Sequence, residues 1–190
     1  MTGLLRANLT RAIRSHLGWG ISLLVLALGS GVLGLALAAA SAGLRFNDSP
    51  SMPTGLYVST SDDSDASLVV FCPAEPFAQL SVERRYRSRG DCSDGAEPLA
   101  KPVAARPGDT VELSATGMSV NGRLLPNTAP LAKDSAGRAL SHWPFRRYVV
   151  ATGVVWVASS YSPRSFDSRY FGPVGASQVR ERVRPLWTGR

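Results

Sequence analysis

Histidine, cysteine and lysine occur only twice each in this chain, as His16 and His142, Cys72 and Cys92, Lys101 and Lys133. Two histidines and two cysteines cannot build a zinc ribbon, a zinc finger or a three-histidine centre, which need three or four closely spaced ligands; no metal and no cofactor is expected. The net charge of +7 is therefore almost wholly an arginine property. Acidic and basic residues are missing altogether from residues 17–44, a run dominated by Leu, Ala, Val and Gly. With 190 residues there is room for one modest active domain plus an appendage, and too little for two large domains.

The uncharged run is the appendage. At about 1.5 Å per helical residue it spans roughly 42 Å, more than the roughly 30 Å of a bilayer's hydrocarbon core, so residues 17–44 are expected to form a transmembrane helix in contact with the lipid bilayer. Arg6, Arg11 and Arg14 precede it without an acidic residue. The positive-inside rule keeps residues 1–16 in the cytoplasm and sends residues 45–190 outward. Ala40-Ser41-Ala42 also matches a small-x-small cleavage site, leaving open a cleaved secretory signal, but signal h-regions are normally about 7–15 residues and this run is nearly twice that. Gly29, Gly31 and Gly34 form no clean GxxxG, and no helix dimer is inferred.

Beyond the apolar run, short strand-like segments at 55–60, 67–71, 110–113, 118–120, 147–151 and 154–158 are punctuated by Gly and Pro. They predict a mainly antiparallel β domain with a short helix over 77–87. Residues 126–144 read as a long surface loop without a role. Cys72 and Cys92 lie on the exported side, where a disulfide closing a loop of about 20 residues would stabilise by roughly 3 kcal/mol; two free thiols, one of them reactive, are the alternative. Arg84-Arg85-Tyr86-Arg87-Ser88-Arg89 reads as a solvated face or an anionic-lipid contact rather than a nucleic-acid site, because of its location. Arg180, Arg182, Arg184 and Arg190 read as a solvated end strand and terminus.

Asn47-Asp48-Ser49-Pro50-Ser51-Met52-Pro53-Thr54-Gly55 cannot be helical around its prolines and places small hydroxyls soon after the membrane segment. A serine needs a partner to take its proton before it attacks an amide. His16 is cytoplasmic under this topology, and His142 sits in the loop over 126–144, so a Ser-His-Asp triad has little support. Lysine can act instead if burial disfavours its charge; arginine cannot, with a pKa above about 12. Lys101, in the otherwise uncharged Pro98-Leu99-Ala100-Lys101-Pro102-Val103-Ala104-Ala105, is the candidate base, a surface lysine before a turn being the alternative.

Four ordered segments then resemble the boxes of the type I signal peptidase superfamily. They are Ser49-Pro50-Ser51-Met52-Pro53-Thr54; Lys101 followed by Ala105-Arg106-Pro107-Gly108-Asp109-Thr110-Val111; Ser119-Val120-Asn121-Gly122; and Phe166-Asp167-Ser168-Arg169-Tyr170-Phe171-Gly172. The short serine box, the compact domain and the cysteines flanking the basic run resemble most the TraF group, the conjugative-transfer peptidases that mature pilin precursors.

The resemblance implies a membrane-anchored serine endopeptidase in the bacterial inner membrane, with its N-terminus cytoplasmic and a serine peptidase domain over residues 45–190 in the periplasm. It implies Ser51 as nucleophile, Lys101 as general base, and the Ser51 N–H with the Ser49 hydroxyl as an oxyanion hole, although Ser49 also reads as a turn residue. Asp167, with Ser168 and Arg169, is implied to support the lysine's surroundings; a structural turn or ion pair between Asp167 and Arg169 is the alternative. The last box begins Tyr161-Ser162-Pro163-Arg164-Ser165 rather than Gly-Asp-Asn, leaving open whether Ser162, Ser165 or Ser168 hydrogen-bonds the lysine. Gly108-Asp109 and Asn121-Gly122 read as turn scaffold. The implied partner is a pilin or other exported precursor with small residues at the cleavage site, released by hydrolysis or by cyclisation onto the substrate's own amine. A general signal peptidase, and a silent membrane-anchored β module that binds pilin or assembly components, are the other readings.

Overall fold

In the computed structural model, which describes residues 2–62 and 67–189, the segment before the apolar run and that run as far as Ser41 form one helix, α1 (Thr2–Ser41); the helix expected over 17–44 stops three residues early, because Ala42 and Gly43 turn the chain and Leu44 is already extended. Within α1, Ser22–Ala39 is long and apolar enough to cross a membrane. Leu23, Leu24, Leu26, Leu28, Leu33 and Leu37 are exposed, as suits side chains whose partner is lipid. The chain divides into two units after Leu44, and the second is built largely of strands.

The strands are β1 (Leu44–Asn47), β2 (Gly55–Ser59), β3 (Leu68–Phe71), β4 (Leu99–Ala105), β5 (Thr110–Ser114) and β6 (Gly117–Val120). They continue as β7 (Arg123–Leu124), β8 (Arg147–Val149), β9 (Val154–Val157), β10 (Val174–Gly175) and β11 (Val179–Thr188). Two short helices, α2 (Phe77–Glu83) and α3 (Ser168–Phe171), join them. One sheet runs β1-β2-β11-β3-β4-β9-β10 and a smaller one β7-β6-β5-β8, so the fold is mainly antiparallel β as the strand-like runs predict. The Asn-Gly hairpin is present between β6 and β7, with Asn121 and Gly122 at φ 51° and 82°, the positive values a tight two-residue turn needs.

Three apolar clusters hold the domain. Val69, Phe71 and Val157 of the large sheet pack against Phe166, Tyr170 and Phe171 around α3. Ala105 and Trp156, from β4 and β9, pack on Val111, Leu113 and Met118 of the small sheet, which ties the two sheets together. Met52, Tyr57, Leu68 and Val183 form the third cluster beneath the serine-rich turn.

Several expectations are corrected. The helix predicted over 77–87 stops at Glu83, because Arg85 adopts φ 57° and turns the chain away. That turn carries Arg87 inward. It is not part of a solvated face: its guanidinium is buried, pairs with Asp94, and donates to Ser81 Oγ at 2.7 Å and to the Ala78 and Glu97 carbonyls at 3.1 Å. Cys72 and Cys92 are joined in a disulfide around this segment.

The arginine-rich tail forms the last strand, as expected, with Val183 its one buried residue, but it is not at a sheet edge. β11 lies between β2 and β3 and pairs with both; Arg190 is outside the described residues. Pro185, which has no N–H to donate, sits where the β11–β2 register shifts. A strand over residues 99–105 was not expected, since a proline argues against a central strand. Val103 N–H donates to Ser67 O at 2.9 Å on the β3 side, so Pro102 faces β9, where the pairing is bulged between Val103 and Ala105.

Residues 126–144 carry little regular structure, as expected, but they are fastened to α3. Leu131 N–H donates to the Tyr170 hydroxyl at 3.0 Å and Trp143 N–H to the Arg169 carbonyl at 2.7 Å. Gly172, at φ +76°, lies under the Trp143 indole, where an added Cβ would come within 2.6 Å of the ring. Gly172→Ala combines a strained backbone with a collision and is expected to lower stability by about 2 kcal/mol, read as a lower midpoint in thermal or urea unfolding.

Candidate active site

Ser51 lies in the turn between β1 and β2, and that turn is held from three sides. Asn47 accepts from Ser49 N–H at 3.2 Å and donates to the Ser49 and Pro53 carbonyls at 3.3 and 3.2 Å, closing an Asx-type turn. The Tyr57 hydroxyl donates to Pro53 O at 2.7 Å from β2. Met52 is buried in the third apolar cluster, so its neighbour Ser51 points away from that cluster.

Lys101 arrives from β4. Strand alternation puts Leu99, Lys101 and Val103 on one face and Ala100 on the other; Leu99 and Val103 pack beside the α3 cluster, Ala100 beside the Met52 cluster. The lysine is 6% exposed, and its Nζ donates to Ser51 Oγ at 3.2 Å. Burial pushes the amine below its ordinary pKa of 10.5; the Asp167 carboxylate opposes this and the Arg169 guanidinium adds to it.

The Ser49 and Ser51 hydroxyls are 2.9 Å apart, and the Ser51 N–H donates to Ser49 Oγ at 3.3 Å. The two groups implied as an oxyanion hole are thus adjacent and paired with each other. Asp167 and Arg169 are wholly buried and form an ion pair at 2.8 Å. Arg169 spends its other donors on the Asn127, Ala129, Pro163 and Ser165 carbonyls, at 2.9–3.3 Å. Asp167 makes no hydrogen bond to Lys101 among the described residues; it accepts from Ser159 N–H at 3.1 Å.

Of the three serines left open as lysine partners, two are engaged elsewhere. Ser168 Oγ accepts from Val157 N–H at 2.9 Å and Ser162 Oγ from Arg164 N–H at 3.3 Å. Ser165 is 3% exposed, lines the cleft that holds Ser51 and Lys101, and its hydroxyl has no hydrogen-bond partner. Among these three it is the serine whose hydroxyl is uncommitted, and no hydrogen bond joins it to Lys101. His142 stacks on Phe145 and contacts the Trp143 carbonyl; no hydrogen bond joins it to Ser51.

Sequence reasoning passed over Ser159. Its side chain is fully buried and its hydroxyl donates to the Ser51 carbonyl at 2.5 Å, linking the Ser51 turn to Asp167. A hydroxyl following the Val-rich β9 run was the available signal, and serine is too common for it to stand out.

A model of the family described as signal peptidase, peptidase S26, matches residues 17–187. The chain belongs to that family. Similar relatives include an Escherichia coli plasmid transfer protein TraF, 39% identical over 167 residues, covering 84% of this chain and 92% of its own length. A conjugal transfer protein TraF of Agrobacterium tumefaciens (strain 15955) is 36% identical over 167 residues, covering 83% of this chain and 89% of its own. Among solved structures, a signal peptidase I from Enterococcus faecalis aligns with 65% of this chain and 98% of its own at 23% identity and a TM-score of 0.36.

In this peptidase family member the buried lysine has a thermodynamic signature. Its folded pKa lies below its unfolded value, so between the two the unfolded state holds a proton that the folded state lacks, and stability rises with pH up to the unfolded value. Lys101→Met removes the group. The variant is expected to be more stable than wild type at about pH 7, with the gap narrowing at about pH 10, as measured by urea unfolding at both.

Proposed function

We propose that this chain is a membrane-anchored serine endopeptidase in which Ser51 is the nucleophile and Lys101 its general base. The observation that carries the reading is the 3.2 Å contact between a buried lysine amine and a serine hydroxyl, in a site with no second candidate base contacting Ser51 among the described residues. Neutral Lys101 takes the Ser51 proton as Oγ adds to the scissile carbonyl, then returns it to the leaving amine. Burial supports this role, because it is what makes a lysine available unprotonated nearer neutral pH.

As the carbonyl oxygen becomes an oxyanion it needs donors at about 2.7–3.1 Å. The Ser51 N–H and the Ser49 O–H are the nearest such pair; the N–H is freed when Ser49 Oγ turns from it toward the oxyanion. The chain from Asp167 through Ser159 to the Ser51 carbonyl positions the turn that carries the nucleophile, and Ser165 lines the same cleft with a hydroxyl free to meet the lysine or the substrate. Among the described residues no cluster of His, Cys, Asp and Glu is suited to a metal, and the proposed chemistry uses none.

The proposed substrate is an exported precursor with small residues at the cleavage site, a conjugative pilin subunit; the relatives' names, for plasmid and conjugal transfer, support a role in transfer. The positive-inside pattern of the N-terminal arginines puts the site on the periplasmic face of the inner membrane. The acyl-enzyme is resolved by water or by the precursor's own amine, which yields a cyclic product. In membranes co-expressing a candidate pilin precursor, Ser51→Ala and Lys101→Ala, at protein levels equal to wild type, are each expected to slow processing about a thousandfold. Product mass distinguishes the linear from the cyclic form, which is lighter by one water. Processing that persists in both variants would assign the cleavage to another enzyme.

A further inference from the structure

The cleft holding Ser51 and Lys101, about 260 Å³ in volume, has an apolar interior and a basic rim. Leu99, Leu131, Leu140 and Phe166 line the interior; Lys133 and Arg164, both exposed, stand at the rim. Lys133 and Asp134 belong to the 126–144 segment that α3 fastens in place.

Asp134 does not cancel this charge, because its carboxylate is already used. It accepts from the Tyr86 hydroxyl and Arg138 Nε, both at 2.7 Å, and from the Ala136 and Arg138 N–H groups at 3.0 Å; Arg84 lies 3.7 Å away. Arg164 donates through one Nη to Ser135 Oγ at 3.2 Å, which ties it to the long loop, and neither it nor Lys133 forms an ion pair among the described residues. Two cations without an ion-pair partner therefore line the cleft that holds Ser51 and Lys101.

The side of the scissile bond that enters this cleft follows from proton delivery. Lys101 must protonate the departing amine, so the leaving segment lies where Nζ opens to the cleft. On β4 that is the face of Leu99 and Lys101; the groove on the Ala100 face, lined by Asn47, Met52, Tyr57 and Val70, contains neither Ser51 nor Lys101. We infer that this cleft receives the leaving segment of the substrate, and that Lys133 and Arg164 select a segment carrying a carboxylate. The carboxylate is an acidic side chain or the segment's own C-terminus. The inference rests on the serine peptidase reading and adds to it a preference on the leaving side.

The test uses the full chain in detergent micelles and quenched-fluorescence peptides with alanine on both sides of the scissile bond. One arm compares Glu with Gln in the leaving segment, and the other compares a free C-terminal acid with its amide. In at least one arm the carboxylate peptide is expected to have about a fivefold higher kcat/KM, the size that two exposed charge contacts supply, and the ratio should shrink as salt is raised. That ratio is expected to fall to about one in Lys133→Gln/Arg164→Gln and below one in Lys133→Glu/Arg164→Glu, since reversed charge repels the carboxylate. Equal rates in both arms, or a ratio that survives in the double Gln variant, would overturn the inference while leaving the peptidase reading intact. Peptides left uncleaved by wild type, or cleaved equally by Ser51→Ala, would overturn the peptidase reading and this inference with it.

Discussion

The buried ion pair between Asp167 and Arg169 is where the separate parts of the domain meet. Taking both charges out of water is costly, and the cost is offset only when every donor and acceptor finds a partner. Arg169 meets that demand with four backbone carbonyls from the 127–129 and 163–165 segments, and Asp167 with the N–H groups of Ser159 and Arg169. One pair thus gathers the long loop, α3 and the chain after β9, and through Ser159 it reaches the Ser51 carbonyl. Its field at Lys101 is mixed, the carboxylate favouring the charged amine and the guanidinium opposing it, so burial decides the direction of the lysine's shift.

Under the proposed function, that arrangement separates support from chemistry. Ser51 and Lys101 meet each other, while Asp167 acts at one remove, holding the turn that carries Ser51. Of the two readings of Asp167 available in the sequence, the ion pair with Arg169 is present, and support for the lysine's surroundings belongs to the proposed function. A peptidase that needs a neutral lysine benefits from keeping its strongest anion neutralised, since an unpaired carboxylate beside Lys101 would hold the amine charged.

The long loop has the opposite character. Its composition, rich in Ala, Ser and Pro, carries no periodicity, and it reads as an appendage until the contacts of Leu131, Trp143 and Tyr170 place it against α3. Once there, it lines the cleft that holds Ser51 and Lys101 with Leu131, Leu140 and Lys133. The cleft's apolar interior and cationic rim come from segments far apart in the chain, β4, the loop and the last box, and no one of these segments contains the pattern alone.

Local rules were enough for much of this protein. The lack of charge after residue 16 specifies a long apolar helix, runs bounded by Gly and Pro specify six of the eleven strands, and Asn121-Gly122 specifies a hairpin, because each depends on neighbours a few residues apart. The rarity of lysine drew attention to Lys101 for a chemical reason, since arginine cannot give up its proton. Arg87, β4 and β11 were misread because their surroundings are non-local. A guanidinium becomes buried when a turn brings it to Asp94, a proline fits a central strand when a bulge absorbs its missing donor, and an arginine-rich strand lies inside a sheet when β2 and β3 flank it. Residue type and order were enough to single out Ser51 and Lys101 as candidates. That they stand 3.2 Å apart with the amine buried comes from packing, because distance and desolvation are properties of the folded chain.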